Sequence, residues 1–143
     1  FYVGKPSAKA KILTKITYEC LMIGIETVKP GKTLGDVGFA IQSHAEKNGF
    51  SVVRDFTGHG LGTVFHTSPT EPKTGLILEE GMFFTIEPMI NSGKHDVKIL
   101  SDGWTAVTRD KSLSAQFEHS IGVTSEGCEI FTLSPKGLEF PQS

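Results

Sequence analysis

The chain is short of cysteine, of long apolar runs and of any excess of one charge. Its two cysteines, Cys20 and Cys128, cannot make a disulfide framework, so a reducing compartment is the simpler expectation. No apolar run approaches the roughly 18 residues of a membrane span. Lysine and arginine number 14 against 16 aspartates and glutamates, a net charge of −2, which is not the basic footprint of a nucleic-acid binder. Repeats of solenoid length and low-complexity tracts are missing as well. The opening Phe1-Tyr2-Val3-Gly4-Lys5-Pro6 carries no initiator methionine and is no signal peptide. It starts inside an apolar triplet that reads like the end of a strand. That is how a fragment looks; a processed mature N-terminus is the alternative.

What is present suits a single globular domain. Of the 143 residues, 38% are hydrophobic and 21% charged, which argues against disorder. A chain of this size buries roughly 68–70% of its unfolded surface, so it needs no metal merely to fold. Ser7 caps a helix over Ala8 to Val28, with Leu13, Ile16, Cys20 and Ile23 as its apolar stripe. Lys29-Pro30-Gly31 ends it. Thr33 caps a second helix, with Leu34, Val37, Ile41 and Ala45 inside and Asn48-Gly49 as the stop. Phe50–Val53 reads as a strand, and Thr67 to Gly75 as a Pro-bearing loop. Met82–Glu87, Val97–Leu100, Trp104–Thr108, Ala115–Val123 and Glu129–Leu133 follow as strands. Helices first and strands later is α+β order.

Three places carry chemistry. His59 stands among Gly58, Gly60 and Gly62, on backbone free to approach other groups closely. Glu87 ends an otherwise apolar strand, where a carboxylate needs a cation, a metal or a proton. Pro88 closes that strand. Glu118 lies in a second strand-like run, sharing a face with Gln116 and Ser120. Each has a plainer reading: a turn histidine, a pair of Glu87 with Arg109 or Lys98, and a solvated edge strand. Taken together, one imidazole and two carboxylates form a nitrogen and oxygen ligand set that suits Zn, Mn, Fe or Co. Two converging carboxylates would otherwise repel. His66, seven residues after His59, is near enough to join as ligand, acid/base group or oxyanion donor. His44 and His95 read as surface histidines.

Gly58-His59-Gly60-Leu61-Gly62, Thr85-Ile86-Glu87-Pro88-Met89, Asp102-Gly103-Trp104-Thr105 and Ser114-Ala115-Gln116-Phe117-Glu118-His119 occur in the order found in type I methionine aminopeptidases. The chain resembles that family over nearly its whole length. The resemblance implies a pita-bread (creatinase/aminopeptidase) fold: a curved antiparallel sheet in two pseudo-symmetric halves, with helices packed on one face. It implies removal of the initiator methionine from nascent proteins whose second residue is small. It implies two divalent metals (Co, Mn, Fe or Zn) held by two Asp, one His and two Glu. His59, Glu87 and Glu118 match the last three ligands. Glu87 also matches the proton shuttle, and His66 a histidine that contacts substrate and stabilises the tetrahedral intermediate. Phe65 and Trp104 match residues around the methionine side chain, and Ser114 one near a monovalent-cation site. The implied partners are peptide N-termini of nascent proteins and the ribosome, with no nucleic acid and no membrane. A cytoplasmic location and a monomeric intact enzyme follow from the same resemblance.

The chain departs from the family in two ways. The family's two Asp ligands lie upstream of the segment that opens this chain, and Asp36, Asp55, Asp96, Asp102 and Asp110 sit in helix or loop contexts instead. The stretch from His66 to Gly81 is also short, with Thr67 at a commonly acidic position. Residues 1–143 thus read as one partial domain, the C-terminal portion of a pita-bread fold without the strands that bear both Asp ligands. Alone it is expected to bind one metal weakly or none, and to be inactive or nearly so. The rivals are a peptidase of the prolidase or aminopeptidase P type, and a non-catalytic pita-bread module that binds peptides or proteins.

Overall fold

A computed structural model of the chain describes residues 2, 4–55, 58–63, 75–137 and 140. Among them are two helices, α1 (Ala8–Thr27) and α2 (Leu34–Lys47). The strands are β1 (Ser51–Val52), β2 (Phe83–Ile86), β3 (Met89–Asn91), β4 (Val97–Ile99), β5 (Ala106–Thr108), β6 (Ser114–Gln116), β7 (His119–Val123) and β8 (Cys128–Ile130). All pair antiparallel, in the orders β1-β3-β6, β2-β7-β8 and β4-β5. The two expected helices and the α+β order are present. The expected loop from Thr67 lies outside the described residues as far as residue 74.

Both helices start where side chains satisfy their first amides. The Ser7 hydroxyl accepts from the Ala10 amide at 3.2 Å. At α2 the Thr33 hydroxyl accepts from the Asp36 amide at 3.1 Å while the Asp36 carboxylate accepts from the Thr33 amide at 2.8 Å, a reciprocal capping box. The buried face of α1 is broader than the expected stripe. It adds Thr17, Leu21, Gly24 and Ile25, whereas Ile23 is only half-buried. Thr17 is tolerated there because its hydroxyl donates to the Leu13 carbonyl at 2.8 Å. His44 is also less solvated than expected, its Nε2 lying 2.8 Å from Glu19 on α1. Val37, Ile41 and Ala45 of α2 meet α1 in the core, with Phe84, Ile86, Ile90, Ile121 and Val123 from the strands. No helix is long and apolar enough to cross a membrane among the described residues.

The main difference from expectation lies in the strands. Ala115–Val123 is not one strand but two, β6 and β7, broken at Phe117-Glu118. Beyond Pro88, which closes β2 as expected, the chain resumes pairing as β3. The two breaks face each other: Ile86 pairs with His119 on one side, and Met89 with Gln116 on the other. Pro88 has no N–H to give a ladder, so β2 stops, and its partner breaks opposite. Past the break both chains continue in a different sheet. The outer strand bounds also shrink, β5 beginning at Ala106 because the Asp102 carboxylate takes the Trp104 and Thr105 amides at 3.0 and 2.9 Å.

Two outcomes test this scaffold. Thr33→Ala should cost about 0.5–2 kcal/mol in urea unfolding, the usual range for a lost cap. The second concerns Asp110, whose carboxylate accepts from the Lys94 amide at 2.7 Å and the Ser112 amide at 3.0 Å. These bonds, led by that from Lys94, hold its carboxyl down to about 2. A lowered carboxyl stabilises the fold above its ordinary value of 3.8 and releases that contribution as pH falls through about 2. In an acid titration followed by 15N NMR, the Lys94 and Ser112 amide shifts should therefore hold through pH 4 and move only well below it. The Asp110→Asn protein should lack that transition.

Candidate metal centre

Alternation along β2 sends Phe84 and Ile86 to the helices and Phe83 and Thr85 to the other face. Ile86 reaches α1, where a Cβ on Gly24 would come within 3.2 Å of it. Beside β2, on the edge away from β7, runs the glycine-flanked histidine segment. Thr85 donates its amide to the His59 carbonyl at 2.9 Å, Leu61 donates to the Phe83 carbonyl at 2.9 Å, and Gly60 bridges to Phe84. Gly58 permits this approach. A Cβ there would overlap the Thr85 carbonyl oxygen and lie 3.3 Å from its hydroxyl.

The paired strand breaks place the carboxylates. Pro88 is buried and Phe117 packs edge-to-face on Tyr18 of α1, with ring centroids 5.5 Å apart. Their neighbours Glu87 and Glu118 occupy adjoining positions in the same two breaks. His59, Glu87 and Glu118 each bring a ligand atom within 4.8 Å of the others, and so can hold a metal ion. Burial is graded: His59 is buried, Glu87 intermediate and Glu118 exposed.

The donor chemistry fits a divalent cation. The Gly60 carbonyl, 3.1 Å from His59 Nδ1, can only accept, so Nδ1 carries a hydrogen. In the neutral ring Nε2 then presents a lone pair toward Glu87 Oε1, 3.6 Å away. An ion about 2.0–2.2 Å from each atom spans that gap. An imidazolium would offset only one of the two carboxylates; a divalent ion offsets both. Glu87 is firmly oriented, with Thr85 Oγ1 donating to Oε1 at 2.7 Å and Gln116 Nε2 to Oε2 at 3.2 Å. Among the described residues no lysine or arginine pairs with it; Arg109 instead donates to the Val97 carbonyl at 3.3 Å. The thiols stand apart from this chemistry. Burial, and secondarily Glu19, pushes Cys20 up to about 12, and burial raises Cys128 too.

Of the other expected site residues, Trp104 and Ser114 are described and are not among these three. His66 and Phe65 lie outside the described residues. Trp104 stands on the β4–β5 turn, 86% exposed. Beside it Asp102 is held below its ordinary value, chiefly by the Thr105 hydroxyl. Ser114 pairs with Asn91 across β3–β6, and its hydroxyl lies 3.4 Å from the Ile90 carbonyl. Sequence reasoning gave no role to Thr85 or Gln116, although both lay on the expected faces of Glu87 and Glu118.

A bent-loop histidine and two strand-break carboxylates gathered at one point are the arrangement of a metal-dependent hydrolase. The sequence comparison agrees: residues 1–125 match the pattern of Metallopeptidase family M24, and the chain belongs to that family. It is 62% identical over 148 residues to a methionine aminopeptidase of Rickettsia prowazekii (strain Madrid E), an alignment covering 99% of this chain and 57% of that protein. To the methionine aminopeptidase of Escherichia coli (strain K12) it is 49% identical over 138 residues, covering 93% and 52%. The chain spans about half the length of the curated relatives it matches. The crystal structure of the methionine aminopeptidase from Rickettsia prowazekii superposes with a TM-score of 0.89 at 60% identity, covering 93% of this chain and 56% of that one. An Xaa-Pro dipeptidase from Bacillus anthracis gives 0.75 at 28%, covering 94% and 34%. The fold is thus pita-bread α+β, as the resemblance implied, and a metallopeptidase family implies use of a divalent metal.

The Gly58→Ala protein tests how the histidine is placed. A backbone oxygen blocks the new methyl, so the His59 segment must move off β2. We expect a stability loss of about 1–3 kcal/mol in thermal unfolding, with faster hydrogen exchange at the Thr85 and Leu61 amides. Unchanged exchange at both amides would contradict the close approach.

Proposed function

We propose that this chain carries the His-Glu-Glu part of a methionine aminopeptidase, which removes the initiator methionine from nascent proteins with a small second residue. The observation that carries this is the convergence of His59, Glu87 and Glu118 in a chain 62% identical to a methionine aminopeptidase. The nitrogen and oxygen donor set suits Co, Mn, Fe or Zn. The resemblance implies a second ion, with two Asp ligands that this chain does not match. A divalent cation supplies Lewis acidity at such a site, polarising the scissile carbonyl and lowering the pKa of the attacking water.

The chain's own groups do the rest. His59, with its tautomer set by the Gly60 carbonyl, would hold the ion together with Glu87 and Glu118. Glu87, with one donor on each oxygen, keeps a fixed plane from which to take a proton and pass it to the leaving amine. His66 donates to the developing oxyanion, a contact worth about 2.7–4 kcal/mol where it has been measured. Phe65 and Trp104 enclose the thioether, whose sulfur suits aromatic walls. Ser114 borders a monovalent-cation site; its register partner Asn91 is fully buried, and Asn91 Oδ1 has no hydrogen-bond partner among the described residues. The substrates are peptide N-termini emerging from the ribosome, in the cytoplasm.

Joining the upstream part of the Rickettsia relative to this chain tests the assignment. The joined protein, loaded with Co²⁺, should release methionine from a Met-Ala-Ser peptide and leave Xaa-Pro peptides intact. In it, Glu87→Gln should lower kcat about 10²–10⁴-fold, the range for lost acid–base catalysis. The opposite peptide preference would favour the prolidase type. The 143-residue chain alone should show no turnover; robust activity from it would refute a partial site.

A further inference from the structure

Thr85 lies between two of the proposed ligands without being one. Its hydroxyl oxygen accepts from the His59 amide at 2.9 Å. Its single proton has two acceptors in range, Glu87 Oε1 at 2.7 Å and the His59 carbonyl at 3.4 Å. The shorter bond goes to the carboxylate, and the His59 carbonyl already accepts the Thr85 amide at 2.9 Å. One side chain, 2% exposed, therefore sets the height of the histidine segment and the rotation of the Glu87 carboxylate together. Gly58 leaves room for this arrangement, because a Cβ there would lie 3.3 Å from the Thr85 hydroxyl. Gln116, exposed on β6, supplies the matching donor to Glu87 Oε2 at 3.2 Å.

We propose that Thr85 is a positioning residue for the metal centre, its hydroxyl relaying between the His59 backbone and the Glu87 carboxylate and so fixing the distance between those two ligands, with Gln116 as the second clamp on Glu87. Three features distinguish this from ordinary core packing. The hydroxyl works as donor and acceptor at once. Both its partners belong to metal-binding residues. Valine, which matches threonine in shape, would fill the same space and lose both bonds. Partners that orient metal ligands commonly contribute 10- to 100-fold in metal affinity. The proposal rests on the metal-site reading above, and its test separates the two.

Calorimetric titration of the joined protein with Co²⁺, together with the visible absorption of the bound ion, provides the readout without any activity assay. Wild type should bind. Thr85→Val should bind about 10- to 100-fold more weakly with an altered absorption band, while Thr85→Ser, which keeps the hydroxyl, should stay within about threefold of wild type. Gln116→Leu alters an exposed side chain and cannot unfold the core, so it covers the case in which Thr85→Val fails to fold; it too should weaken Co²⁺ binding. Wild-type binding with unchanged affinity in a folded Thr85→Val protein overturns the positioning role and leaves the metal site standing. If Thr85→Val does not fold, unchanged affinity in Gln116→Leu overturns it. No Co²⁺ binding by wild type overturns both.

Discussion

The repulsion between two carboxylates at one point is the constraint around which the rest of this molecule is arranged. Glu87 and Glu118 come from segments some thirty positions apart, yet they occupy facing gaps in one strand pair. Neither lies on the regular part of a strand. Each sits beside an apolar residue taken out of solvent: Pro88 is buried, and Phe117 packs on Tyr18 of α1. Burial secures these apolar neighbours, Phe117 against α1, and the acidic side chains are left at the breaks. Hydrophobic burial on one face of the sheet thereby holds in place a charge conflict that a cation relieves.

The histidine joins by a different route. Its segment is an added edge to β2 rather than a regular strand, and it is held by main-chain bonds to Phe83 and Thr85. Main-chain bonding suits a ligand that must not wander, because it fixes the ring's origin independently of the side-chain rotamer. The Gly60 carbonyl then fixes which ring nitrogen faces the carboxylates. Such outer contacts orient a ligand as effectively as the ligand's own choice of residue. The glycines therefore serve at least two purposes. Gly58 allows close contact with β2, and Gly60 offers its carbonyl to the ring.

Much of this was legible in the residues. Ser7, Thr33 and Asn48-Gly49 marked the helix ends, and α2's inner stripe stood out at helical spacing. Glu87 stood out as a carboxylate ending an apolar strand and His59 as a histidine on glycine-bent backbone, while Glu118 gained weight only beside the other two. The break between β6 and β7 was not legible. Ala115–Val123 has the alternation of one continuous strand, and nothing local marks Phe117-Glu118 as a gap; the cause is Pro88, about thirty residues earlier, acting through pairing. The strand after Pro88 was hidden for the same reason, since proline ends one ladder without forbidding the next. Ile23 was misplaced because the buried face of α1 centres on the Thr17–Leu21–Gly24 side, which leaves Ile23 at its margin, and Thr17 could enter that face by bonding to its own backbone. Thr85 and Gln116 had the right periodicity but no chemical signature, because a hydroxyl and an amide become informative only once their partners are known.

The graded exposure of the triad gives the centre a direction. With His59 buried, Glu87 intermediate and Glu118 exposed, an ion entering from water would meet the outermost carboxylate first and would lose its hydration stepwise toward the imidazole.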